Sequence, residues 1–288
     1  MKRIQMQYID KLKDIKLVVA DLDGTLLDNE GMISEEAVEM IRKLRKSGLM
    51  FSFASGRLHS ALMNFAEELK LNAPIISLDG CLIKNYPEGQ VFFESFIPVK
   101  HVKKALDYAD KFLLNIALCH ADEIYFTERN SLIPNIMEKF GAKYTEVPSY
   151  ENFLKNTLEI SIASDVKENI KYVLERMSPP YSFGLNSSFF RSQSHGGIYY
   201  LEIRKKGSDK GKALIKLTKY LKIKLANTAV IGDWYNDISL FLPKVLKVTL
   251  KNGIPELKKI SDIKIDKDNN SGGTEEFLNM LIKARNLD

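Results

Sequence analysis

The chain has 288 residues, 45% of them hydrophobic and 27% charged, with 42 basic and 37 acidic side chains and a net charge of +5. This is the composition of a globular protein with one large or two moderate domains and material for a substantial core. No apolar run approaches the roughly 18 residues of a membrane-spanning helix. The opening MKRIQMQYIDKLKDIK has neither an apolar h-region nor a small-residue cleavage site, so no membrane association and a cytoplasmic location are expected. The positive excess is spread along the chain without an aromatic-interleaved basic stripe, and no nucleic-acid partner is expected. Cys81 and Cys119 lie far apart with no CxxC spacing, which reads as two reduced, buried thiols.

In chain order, KLVVA (16–20) is a short β-branched run suited to a strand buried on both faces, and it ends in Asp21. Ser34 is an N-cap with Glu35 and Glu36 in the first turn. Ala37, Ile41 and Leu44 form one stripe and Gly48 follows the end, so a helix is predicted over about 35–47. LMFSFAS (49–55) is a second strand, a helix follows from Leu58 to about Leu69, and IISL after Pro74 is a third strand. Strand and helix alternating in this way imply right-handed crossovers and an α/β, doubly wound parallel sheet.

From about residue 85 the pattern changes. VFFESF, NIALC, EIYFTE, TLEISIA, YSFGLN and IYYLEI read as strands, several with the alternation of a sheet that has one wet face. Helices are predicted near 100–112, 131–140 and 167–177. After about 207 the first pattern resumes with a helix from Lys210 to Leu221, the strand TAVIG, a helix after Asn236, the strand VLKVTL and two further helices. The simplest organisation is a core of 1–84 and 196–288 interrupted by an α+β domain of 85–195. The aromatic group Phe189, Phe190, Tyr199 and Tyr200 reads as packing rather than a binding platform.

The chemistry concentrates at strand ends. In VVADLDGTLLD (18–28), Asp21 stands at the carboxyl end of a buried strand and Asp23 leaves into a turn at Gly24; open α/β sheets bind ligands at such ends. One carboxylate can serve as nucleophile while the other handles protons. An isolated Asp could instead cap or turn the chain, but a second acidic group at the same mouth is then repulsive and unexplained. Ser55 and Gly56 close the second strand. Lys210 sits among Arg204, Lys205, Lys206 and Lys212, where most lysines are solvated. Asp233 and Asp237 lie four apart near a helix start, where Asp often only caps.

Together, DLDGTLL (21–27), FSFASGR (51–57), Lys210 in SDKGKAL and VIGDWYNDISLF (230–241) resemble, in order and spacing, the four motifs of the haloacid dehalogenase superfamily of phosphohydrolases. The insertion between the second and third motifs is similar to the cap of its Cof-like branch. The resemblance implies a Rossmann-like core with a cap, Asp21 as nucleophile and Asp23 as general acid and base. It also implies phosphate contacts from Ser55, Gly56, Lys210 and Asn236. Magnesium would be held by Asp21, the main-chain carbonyl of Asp23 and Asp233, with Asp237 supporting from outside the ligand set. Arg57, His59 and His195 are candidates to face substrate, although a lone loop histidine is more often solvated.

The expected partner is a small phosphorylated metabolite, a sugar phosphate or related compound, bound by a monomer or small homo-oligomer. A phosphotransferase or phosphomutase using the same intermediate, and a non-catalytic metabolite-binding protein on the same fold, remain alternatives. A dehalogenase needs neither Asp23 nor magnesium. Three departures from the family pattern bear on the substrate: Asp79 in ISLDG where Asn-Gly is common, Lys251 in VTLKNGIPELKK, and SGGTEEF (271–277) in place of Asp-Gly-Val.

Overall fold

The structure, a computed structural model, describes residues 2–87, 89–129, 142–191 and 197–287. In chain order its strands are β1 (Leu17–Ala20), β2 (Met50–Phe53), β3 (Ile75–Ser77), β4 (Leu82–Lys84), β5 (Val91–Glu94), β6 (Asn115–Cys119) and β7 (Ile124–Phe126). There follow β8 (Tyr144–Glu146), β9 (Glu159–Ser164), β10 (Leu185–Arg191), β11 (Tyr199–Lys205), β12 (Thr228–Ile231), β13 (Leu246–Thr249) and β14 (Ile263–Lys264). The chain divides into two compact units, one of Met1–Gly56, Met63–Phe92 and Asp209–Asp288, the other of Arg57–Leu62 and Phe93–Ser208.

In the first unit a parallel sheet runs in the order β14-β13-β12-β1-β2. β1 lies next to the middle of this sheet, and Leu17, Val18, Val19 and Ala20 are all fully buried. That explains why its sequence is a continuous apolar run rather than an alternating one. The helix Glu35–Lys46 carries the chain from β1 to β2, its first turn closed by Ser34 Oγ accepting from the Ala37 amide at 3.1 Å. It packs on the C-terminal helix Gly273–Ala284, as does the helix Lys2–Lys13. A second group joins the helix Lys210–Tyr220 to the 3₁₀ turn Tyr235–Phe241, and that turn to the helix Pro255–Ile260.

The strand order makes β1 and β12 neighbours although 207 residues lie between the end of one and the start of the other; from this pair the chain departs to β2 on one side and to β13 on the other. Such a divergence opens a crevice at the carboxyl ends of the two strands. IISL does not extend the parallel sheet as a full strand. It joins the end of β2 through a single bridge, Ala54 to Ile76, and otherwise pairs antiparallel with β4.

The second unit holds a six-stranded sheet in the order β10-β11-β9-β6-β7-β8, antiparallel except for β7 with β8. Ile116, Leu118, Ile160, Ile162, Leu201 and Ile203 on one face bury against the helices Val99–Phe112 and Lys167–Arg176. On the other face buried Arg204 donates to Glu159 and Glu202 at 2.6 Å each, beside the small apolar group of Ala163 and Tyr200.

Several sequence expectations shift. The strand predicted at YSFGLN begins only at Leu185 and runs on to Arg191. The helix predicted over 58–69 is a 3₁₀ turn, His59–Leu62, followed by a short α-helix, Met63–Glu68. The segment after Asn236 is 3₁₀ rather than α. The helix predicted at 131–140 lies outside the described residues. The aromatic group resolves into two stacked pairs on opposite faces of the sheet. Phe189 with Tyr199 packs on the buried cluster, whereas in the pair Phe190 with Tyr200 the phenylalanine is 42% exposed. Cys81 and Cys119 are free and buried, as expected. No helix among the described residues is long and apolar enough to cross a membrane.

Close packing of the Lys210–Tyr220 helix on the 235–241 turn leaves no room at Gly211, where an added Cβ would stand 2.0 Å from the Ser239 carbonyl oxygen. Gly211→Ala is therefore expected to destabilise the protein by about 1–3 kcal/mol, as measured by equilibrium urea unfolding.

Candidate active site

The site begins with β1 and β12. Asp21 follows directly after β1, its amide donating to the Ile231 carbonyl at 2.9 Å, and Asp233 follows β12 by two residues. Between them the DLDGT segment folds into a tight loop in which the Leu22 carbonyl accepts from the amides of Thr25, Leu26 and Leu27. Gly24 has φ +78°, and an added Cβ would lie 2.4 Å from Asp233 Oδ2. Glycine is required there both for the turn and for the carboxylate's approach. Thr25 Oγ1 donates to Asp233 Oδ1 at 2.7 Å, and Asn252 Nδ2 donates to the Gly24 carbonyl at 2.7 Å. Thr274 Oγ1 in turn donates to the Thr25 carbonyl at 2.7 Å, so the SGGTEEF segment secures the loop from behind.

Lys210 opens its helix, which is capped by Asp209 accepting from the Lys212 amide at 2.7 Å. Its side chain is fully buried, and Nζ donates to Asp21 Oδ1 and to Asp237 Oδ1, both at 2.6 Å. The other oxygen of Asp237 accepts from the amides of Asp233 and Trp234 at 3.0 and 3.1 Å. Asp237 thus spends both oxygens on holding Lys210 and the Asp233 backbone. Two half-exposed aromatics, Trp234 and Tyr235, stand edge to face at 5.3 Å beside it.

The end of β2 meets the same cluster through Asp79. Asp79 donates its amide to the Ser55 carbonyl at 3.0 Å and lies beside Gly56. Its Oδ1 accepts from Asn236 Nδ2 at 3.0 Å and stands 3.9 Å from Lys210 Nζ. The first unit therefore brings together Asp21, Ser55, Gly56, Lys210, Asp233, Asn236 and Asp237. Asp23 is exposed on the loop between Asp21 and Gly24. Arg57 and buried His59 fall in the 57–62 segment, which groups with the second unit, and His195 lies outside the described residues. Thr25, Asn252 and Thr274 were not singled out by sequence reasoning. Lys251 is exposed, its carbonyl accepting from Lys258 Nζ at 2.5 Å.

The electrostatics are those of a crowded anionic pocket. Burial, reinforced by the neighbouring Asp237 charge, pushes the Asp21 carboxyl well above the usual carboxylate range against the pull of Lys210. Burial draws the Lys210 ammonium down, but Asp21, Asp237 and Asp79 outweigh it and hold the pKa above its ordinary value. Burial also pushes Asp233 up to about 7, opposed by the Thr25 hydrogen bond. Carboxylate oxygens of Asp21, Asp233 and Asp237 lie within 4.8 Å of one another. An all-oxygen donor set under mutual repulsion fits a hard divalent cation. With both Asp237 oxygens occupied, by Lys210 and by the Asp233 and Trp234 amides, Asp21, whose second oxygen is not held by Lys210, and Asp233 are the carboxylates that could serve it.

Because the folded-state pKa of Asp233 is raised from 3.8 to about 7, the folded protein holds a proton in that window that the unfolded chain has lost. The stabilisation from this group is complete below about pH 4 and disappears as pH rises through about 7. In calorimetry with chelator present, the melting temperature of the wild type is expected to fall relative to Asp233→Asn between pH 4 and 7. Added divalent cation should recover more of it at pH 8 than at pH 5.

Comparison with known proteins places these features in context. The family model of the haloacid dehalogenase-like hydrolases matches residues 18–278. Phosphatase YwpJ of Bacillus subtilis is 25% identical over 269 residues, covering 86% of this chain and 93% of YwpJ. The 5-amino-6-(5-phospho-D-ribitylamino)uracil phosphatase YitU, also of Bacillus subtilis, is 22% identical, with 91% and 96% of the two chains covered. Among solved structures, TM0651 from Thermotoga maritima is 28% identical and superposes with a TM-score of 0.80 over 92% of this chain and 97% of that one.

Proposed function

The chain belongs to the haloacid dehalogenase-like hydrolases, and from that premise we propose that it is a magnesium-dependent phosphomonoesterase working through an aspartyl-phosphate on Asp21. That it is a phosphatase acting on a phosphorylated small molecule follows from the family and its named phosphatase relatives. The observation that supports the finer reading is Lys210 Nζ at 2.6 Å from Asp21, in a buried pocket that Asp233 shares.

In this reading Asp21 attacks phosphorus in line with the leaving oxygen, forming the acyl phosphate as the P–O bond to the alcohol breaks. Asp23, exposed on the adjoining loop, gives its proton to that leaving oxygen. Asp23 then takes a proton from a water that attacks the same phosphorus, releasing inorganic phosphate and restoring the Asp21 carboxylate. Lys210, Ser55, the Gly56 backbone and Asn236 receive the phosphoryl oxygens. Asp21, Asp233 and the Asp23 carbonyl would hold magnesium, which would supply the positive charge that lets a phosphate dianion approach two carboxylates. The name of YitU, a phosphatase for a ribityl phosphate, supports a phosphorylated polyol or sugar as the substrate class here.

Phosphate release from a panel of sugar phosphates and p-nitrophenyl phosphate tests this directly. Turnover is expected to require magnesium and to fall by about three orders of magnitude or more in Asp21→Asn. Turnover that ignores both would sink the reading. In Asp23→Asn the second step loses its base, so stopped-flow mixing with p-nitrophenyl phosphate should show a burst of nitrophenol close to one equivalent of enzyme, followed by steady turnover slowed about 10²- to 10⁴-fold.

A further inference from the structure

We propose that Asp79 is a positioning residue for phosphate recognition, acting through the side-chain amide of Asn236; the inference rests on the phosphate-binding reading of Asn236 given above. A carboxamide can turn either its oxygen or its nitrogen toward a neighbour, whereas an ionised carboxylate can only accept. With Oδ1 of Asp79 3.0 Å from Nδ2 of Asn236, the amide is set with its nitrogen inward. That nitrogen carries two hydrogens. One is held by Asp79, and the second, directed away from it, is the donor presented to a phosphoryl oxygen. Turned the other way, Asn236 would meet the phosphate with a carbonyl oxygen and repel it.

Four features keep Asp79 in place. Its backbone is left-handed at φ 48° and ψ 36°, a conformation that Asp and Asn reach more readily than other residues with a side chain. Its amide is tied to the Ser55 carbonyl and the Ser55 amide to the Ile76 carbonyl, both at 3.0 Å, so the turn is stitched to the end of β2. The space beside its carboxylate is kept by Gly56, where an added Cβ would stand 3.3 Å from Oδ1. Lys210 Nζ, 3.9 Å away, draws the carboxylate toward the same pocket. Asp79 is thus the group through which the β2 end, the Lys210 helix start and the 235–241 turn are held to one geometry.

The test uses p-nitrophenyl phosphate turnover with magnesium, and competitive inhibition by inorganic phosphate, in Asp79→Gly, Asp79→Asn, Asn236→Ala and the double variant Asp79→Gly/Asn236→Ala. Glycine keeps the left-handed backbone while removing the acceptor. Asp79→Gly is expected to raise KM and the phosphate inhibition constant together by about five- to tenfold, the loss of one charge-assisted contact, with a smaller change in kcat. Asp79→Asn keeps an acceptor oxygen at the same reach but loses the charge and can itself turn a nitrogen toward Asn236, so its constants should fall between those of the wild type and Asp79→Gly. The double variant should be no worse than Asn236→Ala, since coupled residues do not add. Unchanged constants in Asp79→Gly, or multiplication of the two single effects, would each overturn the proposal. Should Asp79→Gly fail to fold, Asp79→Ser, whose hydroxyl is too short for the Asn236 contact, makes the same comparison. Wild-type turnover indifferent to magnesium and to Asp21→Asn would remove the underlying reading instead, and is seen without any of these variants.

Discussion

A fully buried ammonium shared by two buried carboxylates organises this molecule. Lys210 can be taken out of water only because Asp21 and Asp237 meet it at 2.6 Å each, and neither carboxylate could be buried there without it. Removing one partner from such a group costs about 3–5 kcal/mol, because the charge left behind has no solvent. Distant parts of the chain are therefore bound to a single point: the end of β1, the first residue of the 210–220 helix and the turn after β12. The Asp209 cap and the tight packing at Gly211 serve to deliver the lysine there.

Around that point the fold collects polar groups that have little effect singly. The parallel sheet splits its connections at β1 and β12, and the crevice that results receives carboxylates from both strand ends. Asp237 turns one oxygen to the lysine and the other to two backbone amides, so the cation and the chain trace of Asp233 are set by the same residue. Thr25, Asn252 and Thr274 tighten the Asp233 side from three different segments. The pocket that remains holds three close carboxylates against one ammonium, a donor set that fits a hard divalent cation.

Much of this could be read from the chain before its fold was known. Asp21, Ser55 and Asp233 each follow a local signal, an apolar run ending in a polar residue, and local signals survive in sequence; Lys210, one of a run of basic residues, stands out only through the resemblance to the family's third motif. Asn252 and Thr274 carry none: their partners lie 228 and 249 residues away, and nothing beside them marks the contact. Asp79 stood out as a departure from a familiar pattern, but its engagement with Asn236 depends on a left-handed turn that composition does not announce. Strand ends were less legible where pairing rather than propensity decides them. β10 starts four residues later than the YSFGLN run and extends through polar Asn186, Ser187 and Ser188 because β11 supplies its partners.

The chain contains a single tryptophan, and it is Trp234, half-exposed, immediately after Asp233, with its amide held by Asp237. An indole so placed responds to the polarity and charge at its side, and no second indole dilutes the signal. The protein thus carries an intrinsic optical gauge one residue from its acidic cluster. Emission recorded during rapid mixing would follow the arrival of cations and anions in the pocket without label or chromogenic ester, and would separate the order of those arrivals from the chemistry that follows.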